Sequence, residues 1–93
     1  MNKVIWSKSA LAHLRYIRGY IEQFNPQAAQ DLAAALVVAA ESLKNFPHRG
    51  RLVVGTDKRE LVSVHPYIIR YRVVGDTVRI LRIRHTARRP TNP

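Results

Sequence analysis

Two spacings of apolar residues run along this chain, and the change from one to the other predicts its elements. Lys3–Trp6 is a short, mostly apolar opening that predicts a first strand. After it, Leu11, Leu14, Ile17, Ile21 and Phe24 fall three or four apart, the stripe of an amphipathic helix. Ser7 or Ser9 is placed to cap that helix, and His13, Arg15 and Arg18 lie off its stripe. Proline cannot continue a helix but suits the first turn of one, so Asn25-Pro26 ends the first helix and caps a second. The second is predicted from about Pro26 to Asn45, with Ala28, Leu32, Leu36, Ala39, Leu43 and Phe46 as its stripe. The small residues of its centre, LAAALVVAA, let two helices approach closely, so residues 8–46 read as an antiparallel hairpin.

Beyond Pro47 and Gly50 the period shortens to two. Arg51–Val54 is a short apolar segment, and GTDK (Gly55–Lys58) is a turn. Arg59–His65 alternates, Leu61 and Ser63 against Val62 and Val64, and Pro66 stops it. Tyr67–Val74 and Thr77–His85 are strands joined at Gly75-Asp76, a tight hairpin signal. Strict alternation puts Tyr67, Ile69, Tyr71 and Val73 opposite Ile68, Arg70, Arg72 and Val74. In the last strand it puts Val78, Ile80, Arg82 and Arg84 opposite Arg79, Leu81, Ile83 and His85. The predicted fold is therefore α+β, in the order β-α-α-β-β-β. An N-terminal strand and a helical hairpin pack on one face of a small antiparallel sheet. Both sheet faces would carry apolar residues, and two helices cover only one. Some apolar surface beside arginines is thus expected to stay open, as binding surfaces do. Residues 1–93 form one domain, with a tail over 88–93 expected to fray.

Charge adds a direction to that picture. The chain carries 16 Lys+Arg against 6 Asp+Glu, a net charge of +10. From Arg49 onward there are 11 basic and 3 acidic residues, so most of the excess lies in the strand-rich half. A field this positive favours a polyanionic partner. There is no cysteine, hence no disulfide, thiolate nucleophile or zinc-thiolate site. The longest apolar run, Leu32–Ala40, is too short to span a bilayer, and no long apolar stretch follows Lys3. The chain reads as cytoplasmic, without a membrane partner.

Motifs for bond-making chemistry are sparse. Gly19, Gly50, Gly55 and Gly75 are too scattered for a phosphate-cradling loop. His13, His48, His65 and His85 stand apart, so neither a metal site nor a cofactor is expected. Asp57 and Glu60 read as solvated partners of Lys58 or Arg59. Metal-free RNA cleavage needs a base for the 2′-OH, cations for the phosphorane charge and an acid for the leaving oxygen. His65 and His85 end strands, with Arg70 and Arg82 near them in sequence, and supply those residue types. The plainer reading is that His85 caps a strand and His65 belongs to the turn before Pro66.

The chain resembles the RelE/ParE toxins of type II toxin–antitoxin modules from Val4 to about Pro90. The resemblance is carried by IWSKSALAHLRYI, NPQAAQDL, SLKNFPHRGR, REL, YIIRYRV and VRILRIRHTARRP, in that order. It implies the helical-hairpin-plus-sheet fold and a cognate acidic antitoxin that wraps the toxin, with operator DNA bound only indirectly through that antitoxin. RelE-like members cut mRNA on the ribosome, whereas ParE-like members poison DNA gyrase by binding. RelE-type nucleases usually place an arginine after the tyrosine that opens the third sheet strand, and often a tyrosine near the C-terminus. Here Ile68 follows Tyr67, Leu61 stands where a second cation would, and no tyrosine follows Tyr71. The FPHRGR, REL and HTARRP segments are closer to the ParE branch.

The resemblance therefore implies a gyrase-binding toxin, with Arg82, Arg84, Arg88 and Arg89 as candidate target contacts. Val74, Leu81, Ile83 and Arg79 are candidate antitoxin contacts. The alternative is a RelE-like ribonuclease using His85, His65, Arg70 and Arg82. A third reading, from composition alone, is a non-toxic basic module that binds nucleic acid non-specifically.

Overall fold

The computed structural model describes residues 2–87. Strand β1 (Lys3–Trp6) leads into α1 (Lys8–Glu22) and α2 (Pro26–Glu41), which ends in a 3₁₀ turn over Ser42–Lys44. Strands β2 (Arg51–Leu52), β3 (Lys58–Val64), β4 (Tyr67–Val74) and β5 (Thr77–His85) follow. They form one sheet in the order β1-β5-β4-β3-β2, with the helical hairpin on one face. The sheet is mixed rather than purely antiparallel. β1 runs parallel to β5, pairing Val4 with Val78 and Trp6 with Ile80. Sequence alone placed β1 first but gave it no neighbour.

Both helix starts follow from their caps. Ser7 Oγ accepts from the Ala10 N–H at 3.0 Å, and Asn25 Oδ1 accepts from the Ala28 N–H at 3.0 Å. Such caps are typically worth about 1 kcal/mol each. The helical stripes fold in only partly. Leu36, Ala39 and Leu43 of the second stripe are buried, and Leu14 and Ile17 of the first pack on the core. Leu11, Phe24 and Phe46, assigned to those stripes from spacing, are exposed instead. Phe24 joins Tyr16 and Tyr20 in an outward aromatic row, with ring centroids 6.5 and 5.4 Å apart along it.

The sheet departs from strict alternation at two irregularities. Between β4 and β5 the register runs Arg70↔Arg82 and then Tyr71↔Ile80, so Leu81 is an extra residue. Between β3 and β4 it shifts between Leu61 and Val64. Each bulge changes the phase of its strand. Val78, Ile80 and Ile83 thereby all reach the core, as do Leu61 and the partly buried Val64. Arg82 and Arg84 move to the same face as Arg79. Both faces still carry apolar residues, with Ile5, Ile68 and Val74 on the helix-free side, but the bulges sort most apolar residues of β5 toward the helices and its arginines away from them.

Tyr71 fixes the loop between the helices and the sheet. Its ring is fully buried, and its hydroxyl accepts from the Gly50 N–H and donates to the Pro47 carbonyl, both at 2.8 Å. Burial raises the Tyr71 phenol above its ordinary value, opposed by the Gly50 bond and the charges of Arg59 and Arg49. Gly50 is required by space. A Cβ there would sit 2.8 Å from both the Glu60 carbonyl oxygen and Tyr71 Cε1. Tyr71→Phe, which leaves both loop groups unpaired, is expected to cost about 2 kcal/mol. The corresponding drop in Tm, readable by thermal denaturation, is roughly 10 °C for a chain of this size. Gly50→Ala is expected to destabilise as well, through backbone displacement against β3.

Candidate functional site

The helix-free face of the sheet is built by register. Residues opposite one another on neighbouring strands point to the same side. One row across the sheet is Ile5, Arg79, Arg72 and Lys58, and the next is Arg82, Arg70, Glu60 and Arg51. Arg84 follows beside Ile68, which is 6% exposed and lies outside the helix-side core. The arginine-rich surface expected from composition is thus one contiguous face.

Glu60 sits in its middle, and its role differs from the solvated partner expected from sequence. It is 6% exposed, a buried carboxylate among cations. Arg70 donates to Glu60 Oε2 through Nε at 3.1 Å and Nη2 at 2.6 Å. Arg84 Nη2 lies 3.6 Å from the same oxygen, and Arg51 Nη2 lies 3.8 Å from Oε1. Burial pushes the Glu60 carboxyl up. The Arg70 hydrogen bond and the charges of Arg70, Arg84 and Arg51 more than offset this and hold it below its ordinary value. Asp57 supplies a second, exposed carboxylate, 3.2 Å from Arg72 Nη2 and 3.9 Å from Lys58 Nζ. Arg79 and Arg82 are exposed and meet no carboxylate within ion-pair distance among the described residues. In the sequence Glu60 stands only as the acid between Arg59 and Leu61 of REL, which carries no burial signal.

The sequence-predicted ribonuclease set is not brought together. His65 and His85 reach the same end of the sheet, since Tyr67 pairs with both Val64 and His85. His85, however, shares the helix-side face with Tyr67, their rings 5.3 Å apart edge to face. Arg70 and Arg82 lie on the opposite face. The Ala87 N–H donates to His85 Nδ1 at 3.0 Å, so that nitrogen is already an acceptor. His65 is exposed in the turn before Pro66. Among the described residues no three His, Cys, Asp or Glu converge as metal ligands. No helix among the described residues is long and apolar enough to cross a membrane.

His13 is a residue whose role sequence reasoning missed. Past Ile80, β5 has no partner strand on its outer side, and α1 covers that edge. Ser7 N–H donates to the Ile80 carbonyl, Ser7 Oγ donates to the Leu81 carbonyl, and the Ile83 N–H donates to His13 Nδ1 at 3.2 Å. Burial, and then the charge of Arg82, lower the His13 pKa, which keeps Nδ1 an acceptor. Of the candidate partner contacts, Val74 and Arg79 are exposed and Leu81 is half-buried at the bulge. Ile83 is corrected: at 3% exposed it belongs to the core and offers no surface. Arg82 is exposed and Arg84 is largely covered, while Arg88 and Arg89 lie outside the described residues. Exposed apolar residues lie on the hairpin, at Tyr16, Tyr20, Phe24 and Val38, near β2, at Phe46, Leu52 and Val54, and on the sheet, at Ile5, Val62 and Val74.

Residues 4–90 match the family model of the ParE toxin of type II toxin–antitoxin systems, parDE. Toxin RelE2 of Caulobacter vibrioides is 54% identical over 88 residues, spanning 95% of this chain and 99% of that protein. The putative toxin Y4kP of Sinorhizobium fredii is 38% identical over 84 residues, spanning 89% and 86%. A solved structure of the chromosomal ParDE system from P. aeruginosa superposes with a TM-score of 0.81 at 25% identity, over 91% of this chain and 96% of that one.

Glu60 also predicts a pH dependence. Its folded pKa lies below the ordinary value of 4.5. Between the two, the unfolded chain holds the proton and the folded chain does not, so stability rises with pH there. The contribution is complete above about 4.5 and is lost as pH falls through the folded value. Urea unfolding at a series of pH values is expected to show this acid limb in the wild type and a flatter limb in Glu60→Gln.

Proposed function

The chain belongs to the ParE toxin family of type II toxin–antitoxin systems, and on that premise we propose that it acts by binding DNA gyrase rather than by cutting RNA. The observation that carries this reading is the division of residues between the two sheet faces. General acid–base cleavage requires the proton-transfer groups and the charge-stabilising cations around one phosphate. His85 is on one face, Arg70 and Arg82 are on the other, and the nearest partner of Arg70 is Glu60. A surface of this kind is suited to holding a polyanion. A gyrase–DNA complex offers phosphates to it, with Arg82 and Arg84 as the described contacts. The relatives named as RelE toxins make ribosome-dependent cleavage the reading to test against it.

Neutralisation is assigned to a cognate acidic antitoxin in the cytoplasm. The exposed rows on the hairpin supply apolar area for a segment that folds on binding. Acidic residues of that segment would meet Arg79 and speed association more than they deepen affinity.

Purified toxin is expected to block supercoiling by gyrase and to accumulate a cleaved gyrase–DNA complex, and Arg82→Glu is expected to weaken both. Toeprinting on translating ribosomes is expected to show no cut in the A site, and His85→Ala is expected to remain toxic. A-site cleavage that disappears in His85→Ala, with gyrase unaffected, reverses the assignment.

A further inference from the structure

The helical hairpin exposes two apolar surfaces of different chemistry, on opposite flanks of α1. One is the cleft between the helices, whose lining includes Leu14, Arg18, Ala34, Val37 and Val38. It is aliphatic with a cation beside it, a lining that suits a peptide segment. The other is the row Tyr16, Tyr20 and Phe24, whose members are 62%, 53% and 72% exposed. At about 100° per residue this row falls on the far side of the helix from Leu14 and Arg18. The Tyr16 and Tyr20 rings are 18° from parallel with centroids 6.5 Å apart, the open end of the range for ring pairs, so neither closes off the other's face. Gly19, one turn from Tyr16, is exposed, and a Cβ there would meet nothing within 4 Å. The chain's own packing does not call for this glycine, which weakens a helix but leaves clearance beside the rings. The row runs up to the cationic face of the sheet. His13, one turn before Tyr16, accepts from the Ile83 N–H, and its pKa is lowered by burial and then by the nearby charge of Arg82. The helical neighbours of the two tyrosines are Ala12, His13, Ile17, Gly19, Gln23 and Phe24, with no acid among them. Glu22, four residues after Arg18, falls on the cleft side instead.

We propose that Tyr16, Tyr20 and Phe24 form a stacking platform for the bases of single-stranded DNA, whose phosphates pass onto Arg82 and the arginine face beside it. Exposed rings next to a cationic track are the two components of a single-strand site, because every base has a face to stack and every phosphate a charge to neutralise. A duplex keeps its base faces inside its own stack, so it meets the arginines but gains nothing from the rings. A second copy of the chain would bring another +10 of charge against this face. An acidic peptide segment finds its apolar contacts in the aliphatic cleft, on the other flank of α1. DNA rather than RNA rests on the gyrase reading above: along the row only the tyrosine hydroxyls and Gln23 are polar, a poor set for reading a 2′-hydroxyl. Strand binding is measured without gyrase, so its failure leaves the gyrase reading standing, and a failed gyrase assay leaves strand binding to be judged by itself.

Fluorescence anisotropy of labelled oligo-dT, about 12 nucleotides long, is compared with that of a duplex of the same length at one salt concentration. The double variant Tyr16→Leu/Tyr20→Leu keeps apolar area and removes the rings, whereas Tyr16→Phe/Tyr20→Phe keeps the rings and removes the hydroxyls. The leucine pair is expected to weaken oligo-dT binding at least about tenfold and duplex binding less than about twofold, since only the single strand stacks. The phenylalanine pair is expected to bind oligo-dT as the wild type does. Arg82→Glu is expected to weaken both ligands, and abasic sites in the oligonucleotide, tested on the wild type, to weaken binding at least about tenfold. That last arm needs no variant, so it decides the matter even if the leucine pair fails to fold. Four results overturn the proposal: no effect of abasic sites; equal losses of single strand and duplex in the leucine pair; a loss in the phenylalanine pair as large as in the leucine pair; or tighter binding of oligo-rU than of oligo-dU, which makes RNA the ligand.

Discussion

A single extra residue in β5 organises this protein. The strand has to bury Val78, Ile80 and Ile83 beneath the helices while carrying Arg79, Arg82 and Arg84, and those two sets do not fit one period of two. Leu81 absorbs the mismatch as a bulge. β5 also lies between β1 and β4, so the phase it sets is transmitted to both neighbours. Without the bulge, Arg82 would point into the core and Ile83 out of it. An unpaired buried guanidinium costs far more than a bulge does. β1 ends opposite Ile80, so backbone groups beyond it on the outer edge of β5 lack a strand. Ser7 and His13 of the first helix supply the missing partners, which ties the helical hairpin to the sheet by hydrogen bonds as well as by packing.

Sorting the arginines to one face creates an electrostatic problem that the acids partly solve. Arg70 stands opposite Arg82, and Arg72 stands opposite both Arg79 and Lys58. Like charges in such cross-strand positions are destabilising, by a few tenths to about 1 kcal/mol each. Glu60 and Asp57 interleave with them, one buried and one exposed. They are not equivalent. Asp57 is screened by water, and its pairs contribute little. Glu60 is withdrawn from water and compensated by charge-assisted bonds from Arg70, so removing either partner would strand the other. Arg79 and Arg82 stay uncompensated by carboxylates, and the repulsion around them is what an anionic partner would relieve.

Much of the fold was legible in the sequence, for reasons that can be named. Caps and breakers act locally, so Ser7, Asn25-Pro26 and Gly75-Asp76 marked boundaries that the structure keeps. The strands β1, β4 and β5 were placed at their ends because their apolar periods are bounded by turn residues. What failed was long-range. Parallel pairing of β1 with β5 has no local signature, since nothing in Lys3–Trp6 names its partner. A bulge has little signature either: in VRILRIR the pair Ile80-Leu81 was read as continued alternation, and face assignments beyond it were inverted. That inversion hid the common face of Arg79, Arg82 and Arg84 and put Ile83 on a surface it does not reach. Helix stripes were overextended at their ends: Phe24 and Phe46 lie past the last helical turns, at Glu22 and Lys44, and are exposed. The importance of Glu60 was invisible for the same reason, because three of its neighbours come from three different strands.

The same geometry bears on chemistry. Family resemblance admits both cleaving and binding toxins, and residue types alone admit both here, since histidines and arginines are abundant at the end of the chain. In the reading proposed above, position is what favours binding. A histidine edge-on to Tyr67, with Nδ1 accepting from the backbone, is on the wrong side of a sheet from the arginines that would have to share its phosphate. Moving it across would require a one-residue slip of β5, and a slip would push Ile83 out of the core and Arg84 in. The packing that stabilises the fold therefore also holds the acid–base groups and the cations apart. What remains on the open face is charge without a proton relay, partly neutralised from within, and that combination favours holding a phosphate backbone over breaking it.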